Sequence, residues 1–348
     1  MTGKERAIAT IERATVDRPA TWMGEPTAEA LAGMLSHFGL PDEAALRDYF
    51  DDDIYCLNVP YESPQGNHIA AAFDFARKGP TGYGSEERTL TAQGYFDGVS
   101  DPAAVETFPW PDPAEYIKRE ELLERVKAVP ADRASLVLLW SAHFQDSLAA
   151  FGMENALATM MLEPEMYRAV IDRITRFYLR ANEIVYETTK GHLDIVLIGN
   201  DFGSQRGLMV SPEQLREHVF AGTRQLIEQA HAYDLKLIHH SCGSIYEIVP
   251  DIIDLGADAI HPIQALAANM EAERMAREFG GQVSFVGGVD VQELMVRGAP
   301  ADIHRRVREL ITLFPTGLVL SPSHEALLPD VPPENVRALF DAAHKEFV

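Results

Sequence analysis

His240 and Cys242 stand two residues apart in the segment IHHSCG (238 to 243), where the apolar run 235–238 ends. In an extended segment, side chains at i and i+2 leave the same face, so these two can converge on one ion while His239 points the other way. An imidazole and a thiolate are both zinc ligands, and zinc sites use three or four such groups. The pair alone is also compatible with a bland role: Cys is commonly a small buried hydrophobe, and a His at a strand end is often held only by hydrogen bonds. Any further ligand must come from elsewhere in the chain.

The elements around the pair form a recurring pattern. Short apolar runs beginning near residues 20, 54, 135, 193, 235, 258, 283 and 317 read as strands, nearly all followed by a helical pattern. Helices are expected over 3–17, 27–37, 42–50, 113–128, 146–161, 164–190, 211–233, 245–255, 265–279 and 300–313, with a last one after Pro333. Eight alternating units predict one α/β domain, a single (β/α)8 TIM barrel spanning 1–348. Residues 60–113 break the pattern, with many glycines and aromatics, and read as an insertion after the second strand, with a small hairpin around 88–96. It would hang over the barrel mouth, as a substrate lid or as decoration.

Glu25, Asn58, His143, Asp201, His240, Cys242, His261, Gln264, Asp290 and His324 all fall at or just after strand ends. In such a barrel they ring the C-terminal mouth, where sites are built.

Formal charge is 30 − 53 = −23, which argues against a nucleic-acid partner, since those binders present basic patches. Two distant cysteines, Cys56 and Cys242, give no disulfide framework and suit a reducing compartment. With no apolar leader at the N-terminus and no run approaching the ~18 apolar residues of a membrane span, a cytoplasmic protein is expected. Oligomeric state is not readable, although barrels of this kind often pair as homodimers.

The segments GNDFGSQRGLMVSPEQLREHV (199 to 219), IHHSCGSIYEIVPDIIDLGADAIHPIQ (238 to 264), FVGGVD (285 to 290) and LVLSPSHEALLPDVPPENVRAL (318 to 339) resemble the uroporphyrinogen decarboxylase superfamily, which also holds zinc-dependent, corrinoid-linked methyltransferases. The decarboxylases follow their first strand with the arginine-rich Met-Arg-Gln-Ala-Gly-Arg, which serves the propionates of the substrate. Here Gly24-Glu25-Pro26 stands in that place, a carboxylate where a polyanionic tetrapyrrole needs cations. The methyltransferase branch carries His-x-Cys and a distant cysteine after the last strand. His240 and Cys242 match the pair, and His324 stands where that branch has cysteine, so the resemblance implies Zn2+ held by His240, Cys242 and His324.

The same resemblance implies methyl transfer between a corrinoid on a separate partner protein and a small thiol or pterin-type acceptor. Asp201, Glu25 or Gln205 would orient the acceptor, and His261 would serve as a further ligand, a general acid/base or a core histidine. Asn58, His143, Gln264, Asp290, Gln205 and Arg206 are left to bind substrate, with Arg206 meeting an anionic group or forming a surface ion pair. The competing readings are a decarboxylase of a small or tetrapyrrole acid and a non-catalytic barrel that binds a small ligand.

Overall fold

Alternation along the strands decides which side chains enter the barrel. A computed structural model describes residues 1–76 and 92–345. Its strands are β1 (Ala20–Thr21), β2 (Ile54–Asn58), β3 (Ala134–Trp140), β4 (Ile195–Gly199), β5 (Lys236–His240), β6 (Ala259–Ile263), β7 (Ser284–Val289) and β8 (Leu318–Pro322). All pair in parallel, in the order β1-β8-β7-β6-β5-β4-β3-β2, which with the surrounding helices is the expected TIM-barrel architecture. Ile54, Leu136, Leu138, Ile195, Leu197, Ile238, Ala259, Val286 and Val319 form the inner core, and Ala7 and Ile11 of the helix Gly3–Ile11 close it from below. The residues two positions on from Ile238 and Ala259 are His240 and His261, register partners across β5 and β6, so both point inward at the top. His239 takes the outward side and stacks on Phe202, with ring centroids 5.9 Å apart. Burial pushes its pKa down to about 3, so it packs as a neutral ring.

Among the described residues, no ladder joins β1 to β2. Two carboxylates at the start of β2 take over that work: Asp53 accepts the Thr21 N–H at 2.9 Å and Asp52 accepts the Met23 N–H at 3.1 Å. Asp53 is fully buried, with Arg6 Nη1 at 2.7 Å and Arg18 Nη1 at 2.6 Å, while Arg47 Nη1 lies 2.9 Å from Asp52. Buried charged pairs thus close the seam between β1 and β2, and Arg47 extends it to the Gly24 carbonyl.

Several elements differ from the sequence reading. The first helix ends at Ile11. The helix expected over 211–233 divides at Val219, whose carbonyl faces the buried ring of His143 at 3.3 Å. The one expected from 265 begins only at Ala272, because 265–271 is a loop fastened by the Ala268 N–H to the Gln205 carbonyl at 3.0 Å. Glu25–Pro26 and Ala326–Leu327 pair as two short parallel strands, which the sequence did not suggest. In the insertion, Phe75, Phe96, Phe108 and Trp110 form one aromatic group. It docks on the flank of the barrel, through Phe73 on Phe177 and the Phe96 N–H on the Ala150 carbonyl. The expected hairpin lies in part outside the described residues, and its remainder makes one bridge, between Gly94 and Ala76. No helix among the described residues is long and apolar enough to cross a membrane.

Replacing Asp53 by Ala removes the shared buried partner of Arg6 and Arg18, which keep as acidic partners only the more exposed Asp17 and Asp51, and opens the β1–β2 seam, so Asp53→Ala should lose about 3–5 kcal/mol of stability in urea unfolding. A loss below about 1 kcal/mol would show that the seam does not depend on this carboxylate.

Candidate metal centre

His240 is the buried centre of the mouth, and its two ring nitrogens face different groups. Nε2 lies 3.6 Å from Cys242 Sγ and 3.3 Å from Asp201 Oδ1. Nδ1 lies 2.8 Å from His261 Nδ1 and 3.6 Å from Glu325 Oε2. The loop after β4 brings in Asp201, whose Oδ1 accepts the Cys242 N–H at 2.9 Å and whose Oδ2 accepts from Gln145 Nε2 at 3.2 Å. Gly243 lets the β5 loop pass this close: at φ +85° a Cβ there would stand 2.5 Å from the Gly203 backbone. Its N–H donates to Gln264 Oε1 at 2.6 Å, which pins the turn from β6.

Ligand bonds of ~2.0–2.3 Å around a tetrahedral zinc place neighbouring donor atoms roughly 3.3–3.8 Å apart. The separations at His240 Nε2 fall in that range, and thiolate, imidazole and carboxylate are a donor set that zinc accepts. His240, His261 and Glu325 form a second such group, and Cys242, His324 and Glu325 a third, each with its ligand atoms within 4.8 Å of one another. The resemblance implied His324 as the third ligand beside His240 and Cys242; in this geometry Asp201 is grouped with His240 and Cys242, and His324 with Cys242 and Glu325. The Nδ1 of His324 accepts the Ala326 N–H at 3.0 Å.

The electrostatics suit a metal-binding thiol. Burial pushes the Cys242 pKa up, but hydrogen bonds with His240 and His324 outweigh it and hold it below the usual thiol range. Burial disfavours a charged His240, yet Glu325, Asp201 and Cys242 together raise its pKa well above normal. His261 is fully buried and driven well below its usual pKa by that burial and by His240 and His324, so it is a neutral partner. With an ion at His240 Nε2, the ring proton sits on Nδ1 and His261 Nδ1 accepts it, the outer-shell arrangement that fixes a ligand tautomer. Glu325 Oε2 is buried and has no hydrogen-bond partner, an orphaned oxygen facing His240 and, at 3.4 Å, His324 Nδ1.

Glu25 and Asn58 form a pair of their own: Asn58 Nδ2 donates to Glu25 Oε1, and burial raises the Glu25 pKa despite that bond. The Glu25 N–H donates to the Glu325 carbonyl at 2.6 Å, so this pair is tied to the His324–Glu325 turn. A cleft of about 290 Å³ opens beside His324, walled in part by Gln264, Ser323, Val291 and Val331.

Two residues expected to bind substrate are engaged in the scaffold. His143 is buried, with its ring taken by the Ser141 and Val219 carbonyls, Asn200 and Thr223, so it fastens the scaffold behind the mouth. The Asp290 carboxylate accepts the N–H groups of Gln292, Glu293 and Leu294 and caps the turn after β7. Gln205 and Arg206 are exposed in the loop after β4. Sequence reasoning missed Glu325 and Gln145. Glu325 follows His324 directly at a strand end, so the rule that singled out its neighbour applied to it as well. Gln145 gave no signal, because it lies inside a helix and reaches the mouth through its hydrogen bond to Asp201.

Comparison with known proteins agrees with this architecture. The chain is 25% identical over 223 residues to a methylated-thiol–coenzyme M methyltransferase of Methanosarcina mazei, a stretch covering 61% of this chain and 56% of that protein. It is 28% identical over 196 residues to a uroporphyrinogen decarboxylase of Syntrophotalea carbinolica, covering 55% of this chain and 52% of the relative. The chain thus spans about half the length of each of these relatives. A solved methyltransferase from Methanosarcina mazei superposes over 100% of both chains with a TM-score of 0.74 at 16% identity, a likeness of fold. The uroporphyrinogen decarboxylase (URO-D) family description matches residues 105–346, well over half of the sequence, and the chain belongs to that family.

Proposed function

We propose that the chain is a zinc-dependent methyltransferase, moving a methyl group from a corrinoid carried by a separate protein to a small acceptor at the barrel mouth. The carrying observation is the approach of His240 Nε2, Cys242 Sγ and Asp201 Oδ1 to one another at the open end of the barrel. A zinc ion bound there supplies a Lewis acid that favours the thiolate form of a thiol acceptor. Support for methyl transfer also comes from the activity for which the M. mazei relative is named.

In this reading, Asp201, His240 and Cys242 hold the ion, and His261 keeps His240 in the tautomer that leaves Nε2 free to bind. His324 and Glu325 face the acceptor, and the unpartnered Glu325 Oε2 takes its thiol proton. A methyl-corrinoid docked over the mouth would supply the methyl group to the acceptor thiolate that these residues hold. Glu25, its pKa raised by burial and its carboxylate held by Asn58, closes the far side of the mouth. A tetrapyrrole decarboxylase is the weaker reading, because the strand end at Gly24-Glu25-Pro26 offers a half-buried carboxylate to a polyanionic substrate.

Two outcomes are expected. Cys242→Ser should lower zinc affinity in chelator competition and slow methylcobalamin demethylation by thiols roughly 100-fold or more. A metal-free wild type, or a zinc-loaded enzyme that demethylates no corrinoid yet decarboxylates uroporphyrinogen, would refute the proposal. Gln145→Ala removes the support of Asp201 without touching a ligand, so zinc affinity should fall about 10-fold, the lower end for outer-shell partners, with unchanged unfolding. Equal affinity in wild type and Gln145→Ala would take Asp201 out of the ligand set.

A further inference from the structure

The cleft beside His324 carries one carboxylate, Asp330, among its lining residues. Val291, Leu328 and Val331 form its apolar wall, and Gln264 and Gln292 add dipoles without charge. Asp330 lies exposed on its rim, and neither Lys nor Arg is among the described residues that line it. Further in, the approach to Cys242 is bordered by Glu325 and Asp201. A zinc ion would offset part of that charge at the metal end, where His324 also lines the cleft, and Asp330 is the carboxylate that a head group meets at the rim. Like charges at this range repel and an opposite charge is drawn in, the more so on a chain with a formal charge of −23. At about 290 Å³ the cleft sits at the small end of ligand pockets, which run from roughly 300 Å³ upward.

We propose that this cleft takes a small molecule with a cationic, ammonium-type head. The head lies at Asp330, the apolar stem against Val291, Leu328 and Val331, and the reactive end toward His324 and Cys242. This names the acceptor class for the site of the proposed methyl transfer and rests on that reading for the reactive end. The preference for a cationic head is a property of binding alone. It narrows the acceptor to a small amino-thiol, because a pterin with an anionic tail would bring carboxylates to a carboxylate rim.

The test measures dissociation constants of the zinc-loaded full chain by calorimetry for 2-aminoethanethiol, 2-mercaptoethanol and 2-mercaptoethanesulfonate, in wild type and Asp330→Asn. The thiols differ in their own acidity, but the ratio of ratios between the two proteins cancels that difference. The wild type should bind the amine roughly 10-fold more tightly than the sulfonate, and Asp330→Asn should shrink that preference about 3-fold or more. A sulfonate bound as tightly as the amine, no binding of any of the three, or an unchanged preference in Asp330→Asn would overturn the proposal. Methyl transfer is measured separately, so a charge preference without turnover would refute the reaction and keep the binding assignment, and the reverse result would do the opposite.

Discussion

At His240 both nitrogens of a buried imidazole face polar partners, and those two sets of contacts organise the mouth of the barrel. One nitrogen faces Cys242 and Asp201, the other His261 and Glu325. Water is almost excluded from the ring, which is 3% exposed, so each nitrogen depends on its protein neighbours or on a ligand. With an ion at Nε2, the neutral, fully buried His261 would accept the remaining ring proton at Nδ1, and the lone pair of Nε2 would face the ion beside the thiol and the carboxylate. A pairing that would be a costly polar defect in an apolar core is here, in the proposed reading, a preorganised set of ligands at the end of a strand.

The barrel supplies the geometry from backbone periodicity alone. The β5–β6 register sets His240 opposite His261, and the same alternation sends His239 outward, where it packs as a neutral ring. Loops then complete the centre by touching one another: Gly243 passes against Gly203, the Cys242 N–H meets Asp201, and Gly243 donates to Gln264. The short pairing of Glu25–Pro26 with Ala326–Leu327 links the turn that carries His324 and Glu325 to the end of the first strand. At the start of β2, the side chains of Asp52 and Asp53 replace missing ladder bonds between β1 and β2, and Arg47, paired with Asp52, reaches the Gly24 carbonyl just before Glu25.

The eight strands were legible because parallel strands buried on both faces are written as apolar runs, and their polar ends marked the mouth. Helix ends were less so: Val219 interrupts a helical pattern for a tertiary reason, the ring of His143, which no local pattern carries. The same limit applies to the site. The spacing of His240 and Cys242 is a local fact and the pair converges as that spacing requires, with Cys242 Sγ 3.6 Å from His240 Nε2. Whether Asp201, His324 or Glu325 joins the pair depends on how three separate loops pack. His143 and Asp290 lie at strand ends like the others, yet one is consumed by backbone carbonyls and the other by capping a turn, and neither fate is visible without the fold.

In the proposed centre, Asp201, His240 and Cys242 bind one zinc ion through one oxygen, one nitrogen and one sulfur. Zinc-edge X-ray absorption on the purified, zinc-loaded protein reads those scatterers directly. The expected result is a single sulfur neighbour at ~2.3 Å with nitrogen and oxygen neighbours at ~2.0–2.2 Å, and loss of the sulfur shell in Cys242→Ser. A shell with no sulfur, or one that is identical in wild type and Cys242→Ser, would contradict it.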